Sequence, residues 1–236
     1  LCSGDEGYLE VTVRDSKRET HVGHEGRKRG GFMYQVRPKT HPAVRFLGVA
    51  FVVAALVFLP VSGLGCSMAL PVDCSGADIC FPQNYYDHDP SSVYTDYRCG
   101  SLSYDGHTGT DIRVSYADME RGVPVLAVAD GVVRAVRDGE PEGEISLRGK
   151  ASVKGREAGN AVVVAHADRF ETQYSHLKMG SVAVRPGQVV TAGQRLGLVG
   201  LSGVTEFPHV EISLRQESWF MDPFTGPRFD GCDGKR

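Results

Sequence analysis

NAVVVAHADRFETQYSHL, residues 160–177, reads as two short extended runs joined by a polar turn. Ala161–Ala165 is an unbroken run of small and β-branched apolar residues, and Phe170–Leu177 alternates apolar with polar positions. Ala167-Asp168-Arg169 stands between them, so the stretch predicts an antiparallel strand pair. Upstream, Gly122–Asp138 (GVPVLAVADGVVRAVRD) holds two alternating runs hinged at Asp130-Gly131, a dipeptide suited to a tight hairpin turn. Downstream, Val182–Gly200 (VAVRPGQVVTAGQRLGLVG) sets Gly-containing turns between short Val and Leu runs, and His209–Arg215 reads as a last strand. No segment predicts a helix longer than a turn or two. The expected fold class is all-β, with Gly139–Gly159, polar and charged, as a mobile, solvated loop.

Composition agrees with that reading. The 236 residues are 41% apolar and 23% charged, enough for a sizeable core, and 29 Gly with 12 Pro favour a turn-rich β protein over a helical bundle. A formal charge of -3 without a basic footprint excludes strong nucleic-acid binding.

The N-terminal part has a different character. Residues 1–32 are polar and without clear periodicity, and Met33 offers itself as an alternative start. Phe46–Val61 carries no charge and follows Arg37, Lys39 and Arg45, the layout of an export signal over residues 33–69. Ser67-Met68-Ala69 supplies the small residues of a cleavage site before Leu70; an uncleaved anchor over residues 46–66 is the alternative. Either implies an exported protein of the periplasm or cell envelope. Residues 70–236 hold 17 Lys and Arg against 23 Asp and Glu, so the basic excess lies before the cut. They also hold four cysteines, Cys74, Cys80, Cys99 and Cys232, which predicts two disulfides. Three pairings are open; the close spacing of Cys74 and Cys80 suggests a local loop, which leaves Cys99 for Cys232. A zinc–cysteine site is the rival, and no CxxC spacing supports it. Residues 70–102 read as a disulfide-pinned, Tyr-rich extension, 103–225 as the β core and 226–236 as a tail.

Three histidine-bearing motifs carry the chemistry. In Asp105-Gly106-His107-Thr108-Gly109-Thr110-Asp111 an imidazole and a carboxylate flank a glycine turn and can fold back on one cation. Tyr174-Ser175-His176-Leu177 ends one strand, and Pro208-His209-Val210-Glu211 starts another. His209 and Glu211, two apart, share a face. Charged and imidazole groups on an otherwise apolar strand face need a partner or a metal. His88 reads as exposed, and Trp219 and Phe220 as core.

In their order and spacing these motifs, with the Gly-rich segment 182–200 between them, resemble the lysostaphin-like (LytM-type) peptidoglycan zinc metalloendopeptidases, over residues 103–225. The resemblance implies a compact antiparallel β core of the duplicated hybrid motif type and one Zn²⁺ per chain. It implies an enzyme that cuts peptide cross-links of the cell wall, and the chain is expected to be a monomer. Carried over by position, it makes His107 and Asp111 zinc ligands, His176 the donor that stabilises the transition state and His209 the general base; His166 matches a histidine without a catalytic role. The third ligand departs from the pattern: Glu211 stands where the family has His. As a ligand it would lower the formal charge of the centre from +1 to 0 and weaken the activation of a bound water. The expectation is an active enzyme with an altered ligand set, against a catalytically impaired homologue that binds peptidoglycan or regulates another hydrolase. A lipoyl- or biotinyl-type carrier, suggested by the rhythm of 182–200, lacks the lysine at a hairpin tip that such a domain needs.

Overall fold

The computed structural model describes residues 68–226 and 231–232, together with the backbone of a two-residue pair, β1 (Val11–Thr12) with β2 (Gln35–Val36). Most of the predicted signal over residues 33–69 and the whole of the alternative anchor, 46–66, therefore lie outside the described residues, as do most of residues 1–32 and of the tail. No helix among the described residues is long and apolar enough to cross a membrane.

The chain runs through β3 (Cys80–Asn84), β4 (Thr110–Val114), α1 (Tyr116–Arg121), β5 (Pro124–Leu126), β6 (Gly131–Arg137), α2 (Ile145–Arg148), β7 (Asn160–Ala165), β8 (Phe170–Leu177), β9 (Val189–Val190), β10 (Arg195–Leu198), β11 (His209–Gln216) and β12 (Trp219–Met221). One antiparallel sheet takes the order β3-β4-β11-β8-β7-β6-β9, with β12 added along β11, and β10 pairs with β5 in a second, smaller sheet. This is the expected all-β architecture. The core draws on both sheets: Val114, Val162, Val164, Tyr174 and Val210 from the large one, Val125 and Leu196 from the small one, all fully buried. Tyr174 brings its hydroxyl into that core and satisfies it there, accepting from the Val128 amide at 2.8 Å.

The β7–β8 pair forms as predicted, its turn made by Asp168 and Arg169 in the left-handed region. Asp130-Gly131 makes no hairpin. β5 pairs with β10, while β6 pairs with β7 and β9. The two apolar runs find partners in different sheets, and long-range pairing overrides the local turn signal.

Residues 139–159 are largely exposed, as expected, but are not an unstructured loop. They contain α2 and a 3-10 turn, Lys150–Val153, with Ile145 and Val153 buried. Buried Glu140 pairs with Arg148 at 2.8 Å and Arg156 at 3.0 Å, and the Glu142 carboxylate accepts from the Met179 and Leu201 amides. Two disulfides, Cys74–Cys80 and Cys99–Cys232, match the favoured pairing. The extension is held down further by Asp118 at the start of α1: its carboxylate closes a capping box with Ser115 and accepts the amides of Asp78 and Ile79.

Candidate active site

The three motifs meet where β4, β8 and β11 lie side by side. Asp111 on β4 stands opposite Glu211 on β11, and Glu211 stands opposite Ser175 on β8. His107, Asp111, His176 and His209 are each no more than 4% exposed. Two carboxylates directly opposed in a buried sheet repel each other unless a positive group lies among them.

Each histidine is aimed by a backbone carbonyl. The turn that carries His107 is fixed by its amide bond to Tyr104 O and by the Gly106 amide on Asp87; His107 Nδ1 then donates to Tyr85 O at 2.7 Å. Its Nε2 faces Asp111 Oδ1 at 3.2 Å, and Asp111 Oδ2 accepts from Asn84 Nδ2 at 2.9 Å. His209 Nδ1 donates to Phe207 O at 2.8 Å, with Thr205 Oγ1 at 3.0 Å, and its Nε2 faces the same Asp111 Oδ1 at 3.6 Å.

His176 needs a special backbone. Between the pairs Asn160↔Leu177 and Val162↔Tyr174, residues 175 and 176 oppose Ala161 alone, a bulge. His176 takes φ 64°, sparsely populated for a residue with a side chain. The bulge re-aims the imidazole: Nδ1 donates to Ser202 O at 2.8 Å and Nε2 faces Glu211 Oε2 at 3.3 Å. The Ser213 hydroxyl donates to the other Glu211 oxygen at 3.0 Å. Loops 157–159 and 202–203 press together beneath this histidine. A Cβ on Gly203, at φ +85°, would stand 2.3 Å from Glu157 O, so only glycine permits the approach.

The electrostatics divide the site. Burial disfavours charge on His107, but the hydrogen bond and charge of Asp111 outweigh it and raise its pKa; Asp111 is lowered in return, against its own burial. Burial likewise opposes charge on His176 and Glu211, and their mutual bond prevails, raising the first and lowering the second. His209 is pushed down to about 4, by burial first and by the neighbouring His176 next. It is neutral near pH 7, with a bare lone pair on Nε2.

Among the described residues no three His, Cys, Asp or Glu side chains are gathered closely enough to hold a metal ion as they stand. The donor chemistry nevertheless fits a zinc ion. Imidazole nitrogens whose other N–H is tied to a carbonyl, beside a hydrogen-bonded carboxylate, are the outer arrangement metal-binding histidines use. A neutral His209 lone pair aimed at a carboxylate oxygen is unfavourable without a cation between them.

Tyr104 stacks on His107 with ring centroids 4.3 Å apart, and Arg113 lies over Phe207, which packs on His209. Burial, then the Asp111 and Glu211 carboxylates, raise the Tyr104 phenol pKa and keep it protonated. Sequence reasoning missed Asn84, Tyr85, Ser202 and Phe207; three of them act through a main-chain carbonyl, which leaves no mark on residue identity. The other histidines stand apart. His166 bonds Asp130 O and Thr172, a structural position as expected. His88, expected to be exposed, has a side chain only 7% exposed and pairs with buried Asp222 at 2.7 Å. Trp219 and Phe220, expected in the core, lie at the surface.

An antiparallel β protein whose buried histidines and carboxylates converge at one sheet position is built as metallopeptidases are. The pattern of peptidase family M23 matches residues 105–223, just over half of the chain, and the chain belongs to that family. It is 35% identical over 108 residues to the peptidoglycan DD-endopeptidase ShyA of Vibrio cholerae, covering 46% of this chain and 20% of that protein. It is 36% identical over 122 residues to the DD-carboxypeptidase/endopeptidase Mpg of Neisseria meningitidis, covering 50% and 22%. Among solved structures, the catalytic domain of a mutant prophage-encoded M23 protein, EnpA from Enterococcus faecalis, aligns with TM-score 0.41 and 25% identity over 60% of this chain and 85% of that one. The chain spans about a fifth of the length of the curated relatives named here.

Proposed function

We propose that this chain is an exported, zinc-dependent endopeptidase acting on peptide cross-links of peptidoglycan in the periplasm or cell envelope, as a monomer. One observation carries the reading: buried Asp111 is flanked by the Nε2 atoms of His107 and His209, each imidazole fixed by a backbone carbonyl. His107 and Asp111 hold the metal, with a third group from the His209–Glu211 pair. Zinc, when bound, supplies a Lewis acid that polarises the scissile carbonyl and acidifies a water. His176, fixed through Nδ1 by Ser202 O, is the donor to the developing oxyanion once its Nε2 leaves Glu211 Oε2. The family, and relatives named as peptidoglycan endopeptidases, support the substrate class.

The test is metal content together with cleavage of purified peptidoglycan. About one zinc per chain, lost in His107→Ala along with a chelator-sensitive release of cross-linked peptides, is the expected result. A second reading is a catalytically impaired module that binds the wall or regulates another hydrolase, and the His176–Glu211 contact favours it, because that bond occupies the oxyanion donor. Zinc binding without cleavage, or cleavage gained only in Glu211→His, selects this second reading.

A further inference from the structure

The ion pairs of the site fall into two groups. His107 and His209 both pair with Asp111 Oδ1, at 3.2 and 3.6 Å. Glu211, the residue in the family's ligand position, pairs instead with His176 at 3.3 Å and takes the Ser213 hydroxyl on its other oxygen. Both of its oxygens are therefore engaged away from Asp111, although the strand register sets the two residues opposite each other.

Resting on the metallopeptidase reading above, we infer that the third zinc ligand of this chain is His209, and that Glu211 has exchanged places with it as an outer partner of His176. Three donors around zinc at about 2.0–2.1 Å stand roughly 3.3–3.5 Å apart, and the two separations from Asp111 Oδ1 bracket that spacing. The Nδ1 atoms of His107 and His209 are committed to Tyr85 O and Phe207 O, which leaves Nε2 of each as the donor atom. The exchange also resolves the charge conflict of a Glu ligand. Two histidines and one aspartate keep the zinc centre at a formal +1, as in the unaltered family pattern, whereas Asp111 with Glu211 would neutralise it. His209 and Glu211 share a strand face, so exchanging their duties needs no change of backbone.

The experiment measures zinc affinity of the purified full chain by competition with a chromophoric chelator, for the unaltered protein and for His107→Ala, His209→Ala and Glu211→Gln, with circular dichroism as the check on folding. The inference expects His209→Ala to weaken zinc binding at least about 100-fold, as His107→Ala does, and Glu211→Gln to stay within about tenfold. Should His209→Ala fail to fold, His209→Gln fills the same buried space and repeats the comparison. A loss in Glu211→Gln as large as in the His209 variant makes Glu211 a ligand and overturns the assignment. Absence of zinc from the unaltered chain, or binding indifferent to His107→Ala, instead refutes the metallopeptidase reading itself and takes the exchange with it.

Discussion

Asn84→Ala removes a side chain that makes no part of the HxxxD or PHVE motifs, yet it should weaken zinc binding. Asn84 ends β3, in the extension, and its amide donates to Asp111 Oδ2 at 2.9 Å while Asp111 Oδ1 faces the two histidines. A hydrogen bond to a charged group contributes about 1.5–3 kcal/mol. Asp111 is 3% exposed, so the lost donor is not freely replaced, although the half-buried Asn84 position admits some water once emptied. The lower part of that range then applies, and at about 1.4 kcal/mol per tenfold it corresponds to roughly 10–30-fold in affinity. Losses of that order are common for residues that orient a metal ligand. The assay is chelator competition at constant pH, with thermal unfolding to show that the fold is kept. Gln83→Ala, one residue earlier and bonded to Arg113 rather than Asp111, is the control and should bind zinc as the unaltered chain does. Equal affinities for Asn84→Ala and Gln83→Ala would refute the claim that the extension orients the site.

Three further perturbations test other links. Asp118 is held down to about 2 against its own burial by the Ser115 hydroxyl and the amides of Asp78, Ile79 and Ser115. Its folded pKa lies below the ordinary 3.8, so its contribution is complete above about pH 4 and fades as the pH falls toward 2. Asp118→Asn should therefore lower the melting temperature near neutral pH, and the gap to the unaltered protein should narrow between pH 4 and 2. Tyr174→Phe strands the buried Val128 amide and should cost about 1–3 kcal/mol in urea unfolding without changing zinc affinity. Gly203→Ala forces a side chain into left-handed backbone against Glu157 O and should cost roughly 2–4 kcal/mol, with peptidoglycan cleavage falling further than zinc binding because Ser202 O aims His176.

What the sequence made legible followed from how local each signal is. The β7–β8 pair was readable because its apolar runs, its turn and its partner lie within eighteen residues. The Asp130-Gly131 turn misled for the converse reason. The run before it pairs with β10, about seventy residues on, and no dipeptide encodes that distance. Residues 139–159 misled through composition. Few apolar residues are present, but Ile145 and Val153 are buried, and the rest is fastened by carboxylates on amides and guanidinium groups, Glu142 on Met179 and Leu201, Glu140 on Arg148 and Arg156. A charged stretch that looks wholly solvated in one dimension is pinned in three by two buried apolar side chains and one buried carboxylate, Glu140, while much of its surface stays exposed.

The site was legible as a set of residues and not as a division of labour. His107, Asp111, His176, His209 and Glu211 lie in mutual contact, and the order and spacing of the motifs, through the family resemblance, had grouped them. Which atom of each imidazole is free depends on the carbonyls of Tyr85, Ser202 and Phe207, and those depend on loop paths that any side chain of suitable size accommodates. The consequence for reading Glu211 is direct. By position it is a ligand that neutralises the centre, which makes the substitution look damaging; by contact it is the partner of His176, held by Ser213, with His209 beside Asp111. Two residues on one strand face can trade the places of ligand and outer partner while the total of donors and charges is kept, so one departure from a motif is weak evidence for a dead enzyme until the contacts of its neighbours are known.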